Sequence, residues 1–275
     1  MRQQRCLILS DNRAIGVFDS GVGGLTVVRA LLQRLPKEKI IYFGDTAHIP
    51  YGNKSREQLF QYAQAIISFL LEQDVKAIVV ACGTHSSVTL PILQSQITIP
   101  ILGVVKPGAR AAVRCSQKQK IGVMATRATI ESQAYVKEIK AINPAAEVYQ
   151  TACTRLVPLI ESGQLDGAET RRAVEDYTSP LLKEGIDTLI MGCTHYPFLA
   201  PVIKDCTGAD ICLLDPAAET SEELYRIMLE RQIFSQREDL SQHEFYVSGN
   251  DQSFYQVGRK LLGNIIQQVE PVPMD

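Results

Sequence analysis

Two cysteines stand where chemistry is possible. Cys82 and Cys193 each end a short apolar run, Val79-Val80-Ala81 and Ile190-Met191-Gly192, and each is followed within two residues by a threonine, Thr84 or Thr194. A thiol titrates at about 8.5 when unperturbed, nearer neutrality than lysine or tyrosine, and lower still at a helix N-terminus or beside a cation. Two thiols on opposite faces of an α-carbon can invert it. One takes the proton, the other delivers one, and the roles reverse with direction. His195, two residues past Cys193, is placed to orient or protonate that thiol, and Asp19 to do the corresponding job near Cys82. The hydroxyls of Ser20, Thr84, Thr126 and Thr194, with the N–H groups around them, suit a carboxylate. A cysteine after a buried strand is ordinarily packing; two in matching places are harder to dismiss.

The elements that must position these residues alternate. Apolar runs bounded by glycine and small polar residues predict strands over Ala14–Phe18, Ile40–Phe43, Ala77–Val80, Ile99–Val105, Ile121–Met124, Glu147–Tyr149, Thr188–Met191 and Ile211–Leu214. Helical patterns fall between them, over Leu25–Leu35, Ser55–Leu71, Thr84–Gln94, Ile130–Ile142, Glu169–Glu184 and Pro197–Lys204. Such alternation predicts an α/β fold of parallel sheets flanked by helices. The order also repeats. Ile15-Gly16-Val17-Phe18-Asp19-Ser20 is echoed by Ile121-Gly122-Val123-Met124-Ala125-Thr126, Thr46 by Thr154, Pro50 by Pro158, Pro91 by Pro201, and Val79–Cys82 by Ile190–Cys193. A series of matches with slowly drifting offset marks an internal duplication. We therefore expect two pseudo-symmetric lobes with the active site in the cleft between them. The first is 1–104 with the tail 217–275 packed back on it, and the second is 105–216. In the tail, Glu219 to about Glu230 reads as helix, His243–Val247 as strand and Gln252–Leu262 as helix. Ligands in open parallel sheets sit beyond the carboxyl ends of the strands, where Asp19, Cys82, Thr126 and Cys193 all fall.

Bulk properties narrow the classes. A net charge of −2 gives no electrostatic case for nucleic acid or an anionic membrane. No apolar run approaches the ~18 residues that span a bilayer, and Cys6–Leu9 is too short for a signal-peptide core. A cytoplasmic location is expected. The seven cysteines show no framework spacing, so all are expected as thiols. Cys6, Cys115, Cys153, Cys206 and Cys212, with His243, are assigned to structure or surface.

The segments IGVFDSGVGGLTVVRAL, YFGDTAHIPYGNKS, VVACGTHSS, GVVKPGARAA, LIMGCTHYP and FYVSGNDQSF resemble those of glutamate racemases in the aspartate/glutamate racemase superfamily, from about Ile15 to Gly263. The resemblance implies two pseudo-symmetric α/β lobes with substrate between them, and no pyridoxal phosphate or metal. It implies that Cys82 acts on D-glutamate and Cys193 on L-glutamate. Asp19 and His195 would assist them, with Glu161 near His195. Ser20, Tyr51, Gly52, Thr84, Thr126, Thr129 and Thr194 would surround a glutamate substrate, and the D-glutamate formed would feed peptidoglycan. A homodimer is the expected assembly. The chain departs from the family's usual Cys-Asn-Thr-Ala: it has Cys82-Gly83-Thr84-His85. The resemblance then implies a missing amide donor at Gly83, with His85 expected to point to solvent or to supply a replacement.

Other readings are open at this point. Preference for aspartate or another amino acid would keep the two-cysteine mechanism. Cys82, His85, Cys193 and His195 form a Cys₂His₂ inventory for zinc, though Cys193-x-His195 is tighter than usual zinc spacing. Gly21-Val22-Gly23-Gly24 imitates a dinucleotide loop but has Thr26 in place of its third glycine. Two lobes and a cleft also describe a non-catalytic sensor, which has no need of paired thiols.

Overall fold

The structure, a computed structural model, describes residues 10–237 and 242–274. Cys6 and most of the N-terminal segment lie outside the described residues. The elements run β1 (Ile15–Asp19), α1 (Leu25–Arg34), β2 (Ile40–Gly44), α2 (Arg56–Glu72), β3 (Ala77–Val80), α3 (Gly83–Val88), α4 (Leu90–Leu93), β4 (Ile101–Gly103) and α5 (Val105–Cys115). There follow β5 (Lys120–Ala125), α6 (Arg127–Ser132), α7 (Ala134–Ile142), β6 (Glu147–Ala152), α8 (Leu156–Glu161), α9 (Ala168–Lys183), β7 (Thr188–Met191), α10 (Ala200–Thr207) and β8 (Cys212–Leu214). The tail supplies α11 (Pro216–Arg231), β9 (Glu244–Val247), α12 (Asp251–Leu262) and β10 (Glu270–Pro271).

Two parallel sheets organise the molecule, each flanked by helices, so the α/β fold with two lobes is as the sequence predicts. The second sheet, β6-β5-β7-β8, repeats the order β2-β1-β3-β4 within the first, which is extended at one edge by β9 and β10. All strand pairs are parallel. The central strands β1, β3 and β7 are buried along their whole length, as strands covered on both faces must be. Beneath the first sheet, Lys76 is buried against Glu38 and donates to the carbonyls of Asp11 and Ile233 at 2.6 and 2.8 Å, tying the segment after α11 to the start of the chain.

Several expectations need correction. The predicted strand Ile99–Val105 is only Ile101–Gly103, and α5 begins at Val105. The sequence reading predicts no helix over α5, where Pro107 lies in the first turn and its missing N–H has no partner to lose. Pro158 is tolerated in the first turn of α8 in the same way, so that helix was also missed. The predicted helix Thr84–Gln94 is broken at Thr89, ahead of Pro91, and Ile130–Ile142 is broken at Gln133, whose φ is +58°. Cys115 and Cys212, expected as thiols, are joined as a disulfide between the end of α5 and β8, with a Cα–Cα distance of 7.2 Å. A separation of 97 residues hides that proximity from any reading of spacing.

Candidate active site

Cys82 follows β3 and caps α3, while Cys193 follows β7, the equivalent strand of the second sheet. Both line one cavity of about 60 Å³ between the lobes. Ser20, Tyr51, Gly52, Gly83, Thr84, Thr126, Thr194 and His195 line it too. Asp19, Thr129 and Glu161 stand one layer behind its walls, each bonded to a residue of this group.

The lobes are clasped by hydroxyls. Thr84 and Thr126 lie 2.9 Å apart across the cleft, Ser87 donates to Thr129 at 3.3 Å, and Thr194 donates to the Asp19 carboxylate at 3.0 Å. Glycines let main chain approach the other lobe. A Cβ on Gly23 would meet the Thr194 hydroxyl at 2.5 Å and the His195 ring at 2.6 Å. The glycine-rich turn after β1 therefore serves lobe contact, which answers the dinucleotide reading.

Charge is arranged unequally. His195 Nδ1 lies 3.8 Å from the Cys193 sulfur and Nε2 2.5 Å from Glu161. Burial opposes the charged ring, but Cys193 and Glu161 outweigh it and hold the imidazole well above its ordinary pKa. Burial pushes the Cys82 thiol up, and nearby Asp19 adds to that, while the N–H groups of His85 and Thr84 pull the other way. Asp19 is itself raised by burial, against the pull of His195 and of the Gly21 N–H at 3.1 Å.

His85 does not face solvent. It is fully buried, its ring 4.6 Å from Tyr51 and 5.5 Å from Phe18, its Nδ1 3.1 Å from the Thr89 hydroxyl and its Nε2 without a partner. One helical turn carries residue 85 from the cleft to the interior, and burial pulls its pKa down to about 3. It does not line the cavity. Among the described residues no three His, Cys, Asp or Glu side chains are grouped to hold a metal ion, so the Cys₂His₂ inventory is not assembled.

The loop over the cavity is held from the tail. Asp45 is buried and accepts from the Ser248 hydroxyl at 2.5 Å, from His48 Nδ1 at 2.8 Å and from the Tyr51 hydroxyl. Tyr51 thus offers the cavity its ring, its hydroxyl being engaged. The sequence reading missed Pro50, Asn53, Arg127, Cys153, Thr154, Val157 and Pro158, which also line the cavity. The echoes of Thr46 by Thr154 and of Pro50 by Pro158 were the available signal: they set α8 opposite the Pro50 loop. Cys153, assigned to structure, is buried but reaches the cavity wall. Among the described residues no helix is long and apolar enough to cross a membrane.

Comparison with known proteins accords with this geometry. The Asp/Glu/Hydantoin racemase family pattern matches residues 15–224. A glutamate racemase of Desulforudis audaxviator is 44% identical over 264 residues, covering 94% of this chain and 96% of that protein. The crystal structure of a Bacillus anthracis glutamate racemase superposes with a TM-score of 0.90 at 39% identity, covering 96% of this chain and 98% of that one. A glutamate racemase from Francisella tularensis, solved with D-glutamate, gives 0.89 at 38% identity, covering 96% and 99%. The chain belongs to the Asp/Glu/Hydantoin racemase family and, within it, to the glutamate racemases.

Proposed function

We propose that the protein interconverts L- and D-glutamate by a two-thiol mechanism, with Cys82 acting on the D-enantiomer and Cys193 on the L-enantiomer. One observation carries the reading: the two thiols reach a single cavity from equivalent strand ends of a duplicated fold. In the D-to-L direction the Cys82 thiolate removes the α-proton, and the Cys193 thiol delivers its own to the opposite face. His195, held by Glu161, is the proton source beside Cys193. A buried thiol next to a buried carboxyl keeps its proton; the substrate ammonium brings the positive charge that favours the thiolate. Ser20, Gly52, Thr84, Thr126 and Thr194 hold the carboxylates, and the hydroxyl pair Thr84–Thr126 parts to receive one.

The same reading takes lobe one as 1–104 with 217–275 and lobe two as 105–216, supported by the sheet to which each strand belongs. It places the enzyme in the cytoplasm, supplying D-glutamate for peptidoglycan.

Turnover in D₂O tests the mechanism. Each enantiomer should yield product with deuterium at Cα, because the delivering thiol exchanges with solvent. Product retaining the substrate's own proton would point to one base and sink the two-thiol account.

A further inference from the structure

The departure at Gly83 has a geometric meaning. A Cβ built on Gly83 lies 2.4 Å from the carbonyl oxygen of Gly192 and 3.9 Å from the Cα of Cys193, whereas real Cβ atoms essentially never come within 3.0 Å of another heavy atom. The contact crosses the cleft. Gly83 opens α3 directly after Cys82, and Gly192 directly precedes Cys193.

Neither side can yield locally. The Gly192 N–H is bonded to the Met124 carbonyl at 2.8 Å, and a Cβ built on Gly192 would meet the Met124 carbonyl oxygen at 3.0 Å and Ala125 and Tyr135 at 3.1 Å. On the other side, the Ser86 N–H is bonded to the Cys82 carbonyl at 2.9 Å, and the Ser86 hydroxyl spans the Val80 carbonyl at 2.8 Å and the Val104 N–H at 3.1 Å. These bonds fix the start of α3 on its sheet. The His85 ring fills the interior face of the same turn against Phe18 and Tyr51. The turn therefore carries bulk behind it and none in front.

We propose that Gly83 is the positioning residue that sets how far the lobes close, and so how near the Cys82 and Cys193 thiols come to the two faces of one substrate α-carbon. The inference rests on the glutamate racemase reading. Thr84 and Thr126 lie 2.9 Å apart across the partly enclosed cavity, so the lobes part to seat a glutamate between them. Every turnover then includes reclosure, and a side chain at residue 83 obstructs that step. With both segments pinned, relief of the clash comes as a wider angle between lobes, and the displacement falls on the adjoining thiols. A shift on the order of 1 Å at a reacting group costs about 10²-fold in rate.

Gly83→Ala is the test, with the parent enzyme run in parallel. We expect kcat for both enantiomers of glutamate to fall about 10²-fold. Iodoacetamide should alkylate Cys82 and Cys193, 5% and 8% exposed in the closed form, faster than in the parent. Parental kcat, or parental alkylation rates, would overturn the proposal. Gly83→Asn separates a wedge from a recovered donor: a wedge lowers kcat at least as much as alanine does, whereas a lower KM with kcat intact contradicts the proposal. A parent that does not turn over glutamate defeats the functional reading, while an active parent with an unimpaired alanine variant defeats this inference alone.

Discussion

The two ends of the cavity occupy equivalent places in a duplicated fold, yet they carry opposite electrostatics. Each cysteine is followed by a buried histidine. His195 stands between the Cys193 sulfur and Glu161 and is held protonated. His85 lies between Phe18 and Tyr51 with one nitrogen unpartnered and is held neutral. Both are sealed from water, so burial alone does not set their charge. The presence or absence of a carboxylate partner does. Duplication supplied the scaffold twice, and the surroundings of each thiol then diverged: a cationic imidazole beside Cys193, and a buried carboxyl with helix N–H groups beside Cys82.

The largest effect expected is one the two ends share. Cys82→Ser and Cys193→Ser should each reduce racemisation by at least ~10³, since a hydroxyl is a far weaker acid and base near neutrality. A near-parental rate in either variant would remove that end from the chemistry. The ends should separate in their helpers. His195→Asn and Asp19→Asn are each expected to cost on the order of 10² in kcat/KM, equally in both directions because the equilibrium constant is fixed. The difference lies in primary isotope effects: larger for α-deuterated L-glutamate in the His195 variant and for α-deuterated D-glutamate in the Asp19 variant. Identical patterns would mean that the helpers do not belong to separate ends.

A smaller effect is read from pH. Glu161 helps to hold the His195 proton, so Glu161→Gln should let that proton go at lower pH and move the basic limb of the rate profile down by about one unit. An unmoved limb would assign it to another group. The smallest effect is on stability. The folded pKa of His85 is depressed to about 3 from an unfolded value near 6.5, so the unfolded chain binds the extra proton as pH falls through that window. His85 should then cost about 2 kcal/mol of stability between pH 7 and pH 5. His195 acts with the opposite sign: its raised pKa gives stability below the unfolded value that is lost as pH rises through the folded one. Urea midpoints for the parent and His85→Leu at the two pH values measure the first effect, and equal acid sensitivity would mean that His85 is not buried neutral.

Much of this was legible because it is local. Apolar runs revealed the central strands, and the repeated Ala-Cys and Gly-Cys strand ends singled out both thiols. What escaped depends on the other lobe or on helix phase. No helix is predicted from sequence at α5 or α8, where Pro107 and Pro158 lie in first turns, a place that cannot be known before the helix is. His85 could be set on α3 but not on the correct side of it. The need for glycine at residue 83 resides in a carbonyl more than a hundred positions away, which no local pattern records.

The tail strand β9 beside β2 also bears on the order of assembly. The sheet β5–β8 is encoded without interruption and can be completed once Leu214 has been synthesised. The first sheet is finished only when Glu244–Val247 and Glu270–Pro271 arrive, and Ser248 comes with them to anchor the Asp45 loop. Domains on a nascent chain usually mature from the N-terminus. Here the later-made sheet is free to mature first, and the loop over the cavity is anchored only after Ser248 has been made.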